Sequence, residues 1–345
     1  MSGALARRGI GATGVEVSCL GFGTMAVGGQ YADVDDAAAT ATIAAALEAG
    51  ITFFDTAPQY GCGLAEERLG RALRQLGKTD AVVSSKVAKA IVPLGSGGQA
   101  QRALHFPGGH DAEMAFDFSY DGTLRIVEAS LARLGLDSID LLLIHDVTRH
   151  FFGDDGIEAA TQAAMAGTLK ALHRLRDNGA VRAIGIGLKD TDIAMRFIEE
   201  GDIDVALIPG RMTLIDQSAL TSGVLDLCLK HGVAMIAAAP FDSGILATGA
   251  VAGARSGYRA APDEVIARGA DMERVCREHG VPLQAAALQY ALLHPAVVSV
   301  LAGMKTPDEV RQNAAWMQMR VPADLWSALT ATNGVAKTDS GNALA

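Results

Sequence analysis

Eight short apolar runs recur along the 345-residue chain, and the stretches between them constrain the fold more than any single residue does. They begin at Val17 (VSCLGFGTM), Ile51 (ITFFDTA), Ala81 (AVVSSKV), Ile139 (IDLLLIHD), Val181 (VRAIGIGL), Val205 (VALIPG), Val233 (VAMIAAAP) and Val297 (VVSVLAG). Most are apolar at consecutive positions, as in strands buried on both faces of a parallel sheet. Helical patterns separate them: one runs from Asp35 to a stop at Gly50, one from Asp121, and one from Ala164 to Asn178-Gly179. Strand and helix in alternation imply a parallel α/β chain. Eight strands predict a single closed (β/α)8 barrel over residues 1–345 rather than an open doubly wound sheet. GFGTMA, from Gly21, scans as a dinucleotide fingerprint, but about 20 positions on stand Thr42 and Ile43 instead of an acid, so a Rossmann unit is rejected.

Some segments fall outside the repeat. Residues 7–18 read as an N-terminal β-hairpin turning at Gly14. Residues 88–118 read as a long Gly/Pro-rich loop straight after a strand, a lid candidate, and the stretch from Gly244 to Glu264 as a second flap. Residues 334–345 read as a flexible tail. A net charge of −10 without a Lys/Arg block argues against nucleic acid or an anionic membrane and for a small-molecule substrate. Cys19, Cys62, Cys228 and Cys276 are scattered, so no zinc cluster or disulfide framework is expected and a reducing cytoplasm fits. No metal site is expected. No signal core and no apolar run near the ~18 residues of a membrane span is found. The oligomeric state is left open.

In such a barrel the active site lies at the carboxyl ends of the strands. Asp55 closes the second run, Tyr60 follows it, Lys86 closes the third and His145 the fourth, so the fold brings all four to one rim. Each has a plain structural reading when taken alone: a turn or cap carboxylate, a packed phenol, a snorkelling lysine, a satisfied core histidine. Together they make a proton-transfer site. A phenol titrates near 10, and one ammonium ~4 Å away is worth about 4 kcal/mol at an effective dielectric of ~20, roughly three pKa units. Asp55 would keep Lys86 charged, Lys86 would acidify Tyr60, and a neutral His145 would orient the substrate oxygen. None of the four donates hydride, so the site needs a bound cofactor. The loops after the seventh and eighth strands of a barrel commonly hold phosphate; here they are Ala239–Leu246 and Ala302–Asn313. The latter opens a helix at Thr306-Pro307 beside Lys305.

GFGTM (Gly21–Met25), FDTAPQYG (Phe54–Gly61), EERLGRAL (Glu66–Leu73), SSKV (Ser84–Val87) and RLGLDSIDLLLIHD (Arg133–Asp146) occur in an order that resembles the aldo-keto reductases, up to about residue 318. The resemblance places that family's Asp, Tyr, Lys and His tetrad on Asp55, Tyr60, Lys86 and His145. It implies a nicotinamide cofactor held by Gly23, Thr24, Met25 and Asp55, by Pro240, Phe241, Ser243, Gly244 and Leu246, and by Gly303, Met304, Lys305, Glu309 and Asn313. Glu309 stands where NADPH-specific members often carry a basic residue, which implies NAD over NADP. Gly187-Leu188 replaces a Ser-Asn pair that many members place against the carboxamide. DFSYDG, PGRMTLIDQ, PFDSGILATGA and VPLQAAALQYALLHP look like the aldose 1-dehydrogenase and pyridoxal 4-dehydrogenase branch, which implies oxidation of a cyclic hemiacetal to a lactone. Aldehyde reduction and a non-catalytic nucleotide-sensing subunit stand as alternatives. Substrate choice is expected in residues 88–118, in VTRHFFGDD with Arg149 and His150, and around Arg211 and Met212.

Overall fold

The consecutive apolar positions divide between two faces with a period of two. Phe53, Val82, Leu141, Leu143, Ala183, Val205, Leu207, Ala234 and Ile236 share one core. Their neighbours Phe54, Val83, Leu142, Ile144, Ile184, Ala206, Ile208 and Met235 join a second. A strand with both faces dry has to lie between two layers, and closure of the sheet supplies the inner one.

The computed structural model describes residues 4–30, 33–77, 80–96, 101–102, 106–251, 253–257 and 259–333. The chain enters through an antiparallel hairpin, β1 (Arg7–Gly9) and β2 (Glu16–Ser18), with Gly11 and Gly14 at positive φ in its turn. Then come β3 (Leu20–Gly23), β4 (Phe53–Asp55) and β5 (Val82–Val87), followed by a small sheet of β6 (Lys89–Val92), β7 (Gln101–Arg102) and β8 (Glu113–Phe116). The remaining strands are β9 (Leu141–His145), β10 (Ala183–Gly187), β11 (Val205–Pro209), β12 (Ala234–Ala238), the two-residue pair β13 (Arg255–Ser256) and β14 (Arg259–Ala260), and β15 (Val297–Gly303). The eight apolar runs become β3, β4, β5, β9, β10, β11, β12 and β15, hydrogen-bonded in that order into a closed parallel barrel. Ile10, Val15 and Val17 of the hairpin join the inner core and stop the barrel at its amino end, leaving the other end for chemistry.

The helices form where the sequence caps them. Asp35 accepts from the Ala38 N–H at 2.7 Å and opens the helix Asp36–Glu48; Gly50, at φ 84°, turns the chain back into β4. Glu66, fully buried on the helix Leu64–Leu76, accepts from Ser85 Oγ at 2.7 Å and from Arg133 Nε at 2.6 Å, tying barrel to helix layer. Among the described residues no helix is long and apolar enough to cross a membrane.

Three stretches differ from the sequence reading. Residues 88–118 carry β6, β7 and β8 rather than an irregular loop, because Lys89–Val92 pairs with Glu113–Phe116 in antiparallel register. The segment after β9 is helical from Arg149 to Ala163, bent at Gly153, and continues through Lys170–Asp177. Its first N–H is taken by Asp190 at 2.8 Å, a cap from 41 residues away that no local pattern announces. The Gly244 stretch holds a short helix, Ile245–Thr248, before the β13–β14 pair. The expected tail, 334–345, lies outside the described residues.

Candidate active site

The inner-face period that packs the barrel ends in polar groups. Stepping by two from the inner core gives Asp55 after Phe53, Ser84 and Lys86 after Val82, His145 after Leu143, and Gly187 after Ala183 and Gly185. Register sets Gly23 against Asp55, Asp55 against Ser84, and His145 against Gly187. The same alternation that fills the core therefore delivers the candidate groups to its carboxyl end.

The Lys86 ammonium donates to the Asp55 carboxylate and to the Thr56 carbonyl oxygen, the latter at 3.0 Å. Both side chains are at most 2% exposed. Burial pushes the Asp55 carboxyl above the usual carboxylate range, against the pull of Lys86. Gly187 makes room for the lysine arm, since a Cβ there would lie 3.2 Å from Lys86 Cε. A glycine where the family resemblance had suggested a polar pair thus has a steric use.

Tyr60 is fixed in the turn after β4. Its N–H donates to the Ala57 carbonyl and its own carbonyl accepts from the Ala65 N–H, both at 3.1 Å. The phenol ring stands edge-on to the His145 imidazole, with centroids 6.0 Å apart and planes at 85°, and stacks against Phe106 at 6.1 Å. Burial pushes the His145 pKa down to about 3, and the charges of Lys89 and Lys86 add to that while Asp146 opposes it. The imidazole is accordingly neutral at physiological pH, and its Nδ1 is buried with no partner among the described residues.

The rim is strained where function would need it. Cys62, Ala88, Asp146, Ala239, Asp242 and Ser243, all in segments that follow barrel strands, take positive φ between 44° and 77°. The loop after β12 is held by Asp242, whose carboxylate accepts from the Ser256 hydroxyl and, at 3.1 Å, from the Gly257 N–H. Two buried hydroxyls find no partner among the described residues: Thr56 Oγ1, on the residue after Asp55, and Thr24 Oγ1, on the residue after Gly23, which pairs with Asp55. Thr24 donates its N–H to the Asp55 carbonyl at 3.0 Å. Orphaned polar atoms beside the tetrad, with open space at Gly244 and Gly303, fit a bound polar group.

The other sequence-assigned cofactor positions divide by exposure. Met25 packs beside Tyr60, Pro240 is buried, Phe241 lies against the outer core, and Asn313 is buried on the helix Pro307–Gln318. Leu246 and Met304 are fully buried, so their side chains belong to the core. Lys305 is exposed, and its N–H donates to Glu309 Oε2 at 2.8 Å, while Thr306 caps the helix by accepting from the Glu309 N–H at 3.2 Å. The helix start already carries a carboxylate.

Three expected specificity positions are otherwise engaged. Arg149 is bound to Asp192 at 2.6 Å, Asp154 at 3.2 Å and Asp190 at 3.5 Å, and His150 lies on the same helix. Met212 is 2% exposed within the core. Arg211 bonds Asp216 at 2.8 Å and lines a cleft of about 470 Å³ with Lys189, Gly210, Asp242 and Gly257, at the ends of β10, β11 and β12. None of the tetrad lines that cleft. Sequence reasoning passed over Lys189 there and, nearer the tetrad, Gln59, Lys89 and Asp146. Two of these three sit inside motifs already quoted, each next to a tetrad residue.

A model of the aldo/keto reductase family matches residues 19–333. A pyridoxal 4-dehydrogenase of Microbacterium luteolum is 36% identical, covering 94% of this chain and 96% of that protein. A D-threo-aldose 1-dehydrogenase of a Pseudomonas species is 37% identical over 92% and 94%. Among solved structures, the holo form of an aldo-keto reductase from Bacillus halodurans superposes with a TM-score of 0.73 at 25% identity, over 97% of this chain and 98% of that one.

Proposed function

The chain belongs to the aldo-keto reductase family, and on that premise we propose that it oxidises a cyclic hemiacetal, such as an aldose at C1, to a lactone with NAD. The observation that carries the reading is the joined set of Asp55 bonded to Lys86 and Tyr60 edge-on to a neutral His145, at the carboxyl end of the barrel. Two relatives at 36–37% identity are a pyridoxal 4-dehydrogenase and a D-threo-aldose 1-dehydrogenase. Pyridoxal also closes to a hemiacetal and its oxidation also gives a lactone, so the first of these favours a second reading with the same chemistry.

The nicotinamide, when bound, supplies the hydride acceptor. Tyr60 takes the proton from the anomeric hydroxyl as the C–H bond at that carbon breaks. Lys86 supplies a cation toward the Tyr60 phenolate, and Asp55, bonded to that ammonium in a buried site, holds it in place. His145, uncharged, offers one ring nitrogen to the substrate oxygen and fixes the angle of proton transfer. Thr24, Thr56 and the turn Pro240–Gly244 line the cofactor's path, with Gly23 and Gly303 letting it approach the backbone. Glu309 favours the free ribose of NAD, since a carboxylate accepts hydroxyl hydrogen bonds and repels a 2′-phosphate.

Replacing Tyr60 with Phe removes nearly all NADH formation on a panel of aldoses and pyridoxal while NAD binding persists. Robust turnover by that variant defeats the assignment. A clear preference for NADP in the wild-type protein defeats the role given to Glu309.

A further inference from the structure

We infer that Asp146 is a substrate-specificity residue, whose unused carboxylate oxygen accepts a hydrogen bond from a hydroxyl neighbouring the reacting carbon. The inference rests on the hemiacetal reading above and names what that site selects: a substrate hydroxylated next to the carbon that is oxidised.

Asp146 is the residue directly after His145, at the mouth of the barrel. It is held in the left-handed region at φ 57°, and its N–H donates to the Gly187 carbonyl at 3.0 Å. Strain of this kind persists where the surroundings impose it, and it clusters at ligand sites. Oδ2 accepts from Lys89 Nζ at 2.6 Å and lies 3.6 Å from His145 Nε2. Oδ1 accepts no hydrogen bond among the described residues. The Asp146 side chain is 25% exposed, whereas those of Lys89 and His145 are 4% and 9% exposed, so of these three it is the one most open to the mouth.

Lys89 makes such a carboxylate tenable. Its ammonium lies under β6 between Asp146 and Gln59 Oε1, 2.6 Å from each, with the ring centroids of Phe151 and Phe116 at 3.9 and 5.0 Å. It thereby joins the residue before Tyr60 to the residue after His145. A pair this dry adds little stability by itself, because desolvation offsets the attraction. What it does is neutralise a carboxylate beside the reacting groups without drawing it away from the opening. The Lys89 ammonium bonded to it holds the Asp146 carboxyl below the usual range against the effect of burial, so it stays an acceptor and never a donor.

Aromatic surfaces lie close to this carboxylate's partners, with Phe106 stacked on Tyr60 and Phe116 and Phe151 around Lys89. Apolar faces beside an acceptor edge suit a ring that presents C–H to one side and hydroxyls to the other. A neutral hydroxyl pairs with Oδ1. A substrate without one leaves a carboxylate oxygen short of a partner, the kind of mismatch that discriminates most strongly.

The test compares Asp146→Asn with the wild type on two substrates: the aldose that the wild type oxidises fastest with NAD, and the 2-deoxy form of that aldose. Asparagine tolerates the left-handed conformation and leaves an oxygen for Lys89, so the fold is kept; a thermal melt and NAD binding check this, and Asp146→Ser serves as a second variant. The expected result is a wild-type kcat/KM ratio in favour of the hydroxylated sugar that falls by about 10- to 100-fold in both variants. Any effect on His145 or on packing lowers both substrates alike and cancels in the ratio. Equal losses on the two substrates, or a wild type that does not discriminate between them, overturn the role of Asp146 and leave the hemiacetal reading standing. A wild type that oxidises no hemiacetal overturns both.

Discussion

Lys86→Met leaves the Asp55 carboxylate alone in the barrel, and the size of the resulting defect follows from the structure. Asp55 is 1% exposed and its principal counter-charge is the Lys86 ammonium bonded to it. Without that ammonium the carboxyl avoids an unpaired charge by taking a proton. Holding a group of ordinary pKa 3.8 neutral at pH 7 costs at most 3.2 units at about 1.36 kcal/mol each, a ceiling of about 4 kcal/mol. This agrees with the ~3–5 kcal/mol typical of breaking one side of a buried pair. The sign is fixed as well. A folded-state pKa raised above the unfolded value means that the native protein holds more protons, so stability is lost as pH rises through the folded pKa. Denaturant unfolding of the variant at pH 7 should show a loss of about 3–4 kcal/mol relative to wild type, shrinking clearly at pH 5. Asp55→Asn/Lys86→Met, with the charge gone from both sides, should recover most of it. A defect equal at both pH values, or a double variant as unstable as the single one, refutes the reasoning.

His145 titrates the other way. Its folded pKa of about 3 lies below the ordinary 6.5, so the stability it supports is fully present above pH 6.5 and is lost as pH falls toward 3, at up to about 1.4 kcal/mol per unit. Acid unfolding followed by circular dichroism should be shallower in His145→Gln than in the wild type, and superimposable curves count against a neutral buried imidazole. In Gly187→Ala the new methyl meets Lys86 Cε at 3.2 Å and moves the ammonium by a few tenths of an ångström. Turnover should drop roughly 10-fold with stability within about 1.5 kcal/mol of wild type; unchanged kcat shows that the lysine has slack.

The barrel was legible because burial on both strand faces leaves runs that are apolar at every position, a pattern an isolated amphipathic element does not produce. Asp55, Lys86 and His145 were legible for the same reason: each is the polar residue that ends such a run on its inner-facing period. The partners of the next layer were not. Lys89 meets Gln59 and Asp146 from 30 and 57 residues away, through a sheet whose strands are separated by Gly- and Pro-rich sequence that reads as loop. The helix at Arg149 is capped by Asp190 across the gap between two elements, so VTRHFFGDD carried no local start signal. Arg149 looked available for a ligand because sequence position cannot reveal three carboxylates gathering round it. Leu246 and Met304 came with their motifs, and only the fold shows that their side chains belong to the core.

Ultraviolet titration of phenolate absorbance, run on the wild type and on Tyr60→Phe, reads the ionisation of one phenol among the chain's five tyrosines. The proposed mechanism puts the Lys86 cation against the Tyr60 phenol, and at ~4 Å that cation would bring ionisation about three units below the ordinary 10, giving one phenolate step near neutrality that the variant lacks. If the two curves coincide below pH 9, the phenol is not tuned, and proton transfer by Tyr60 is not how this site works.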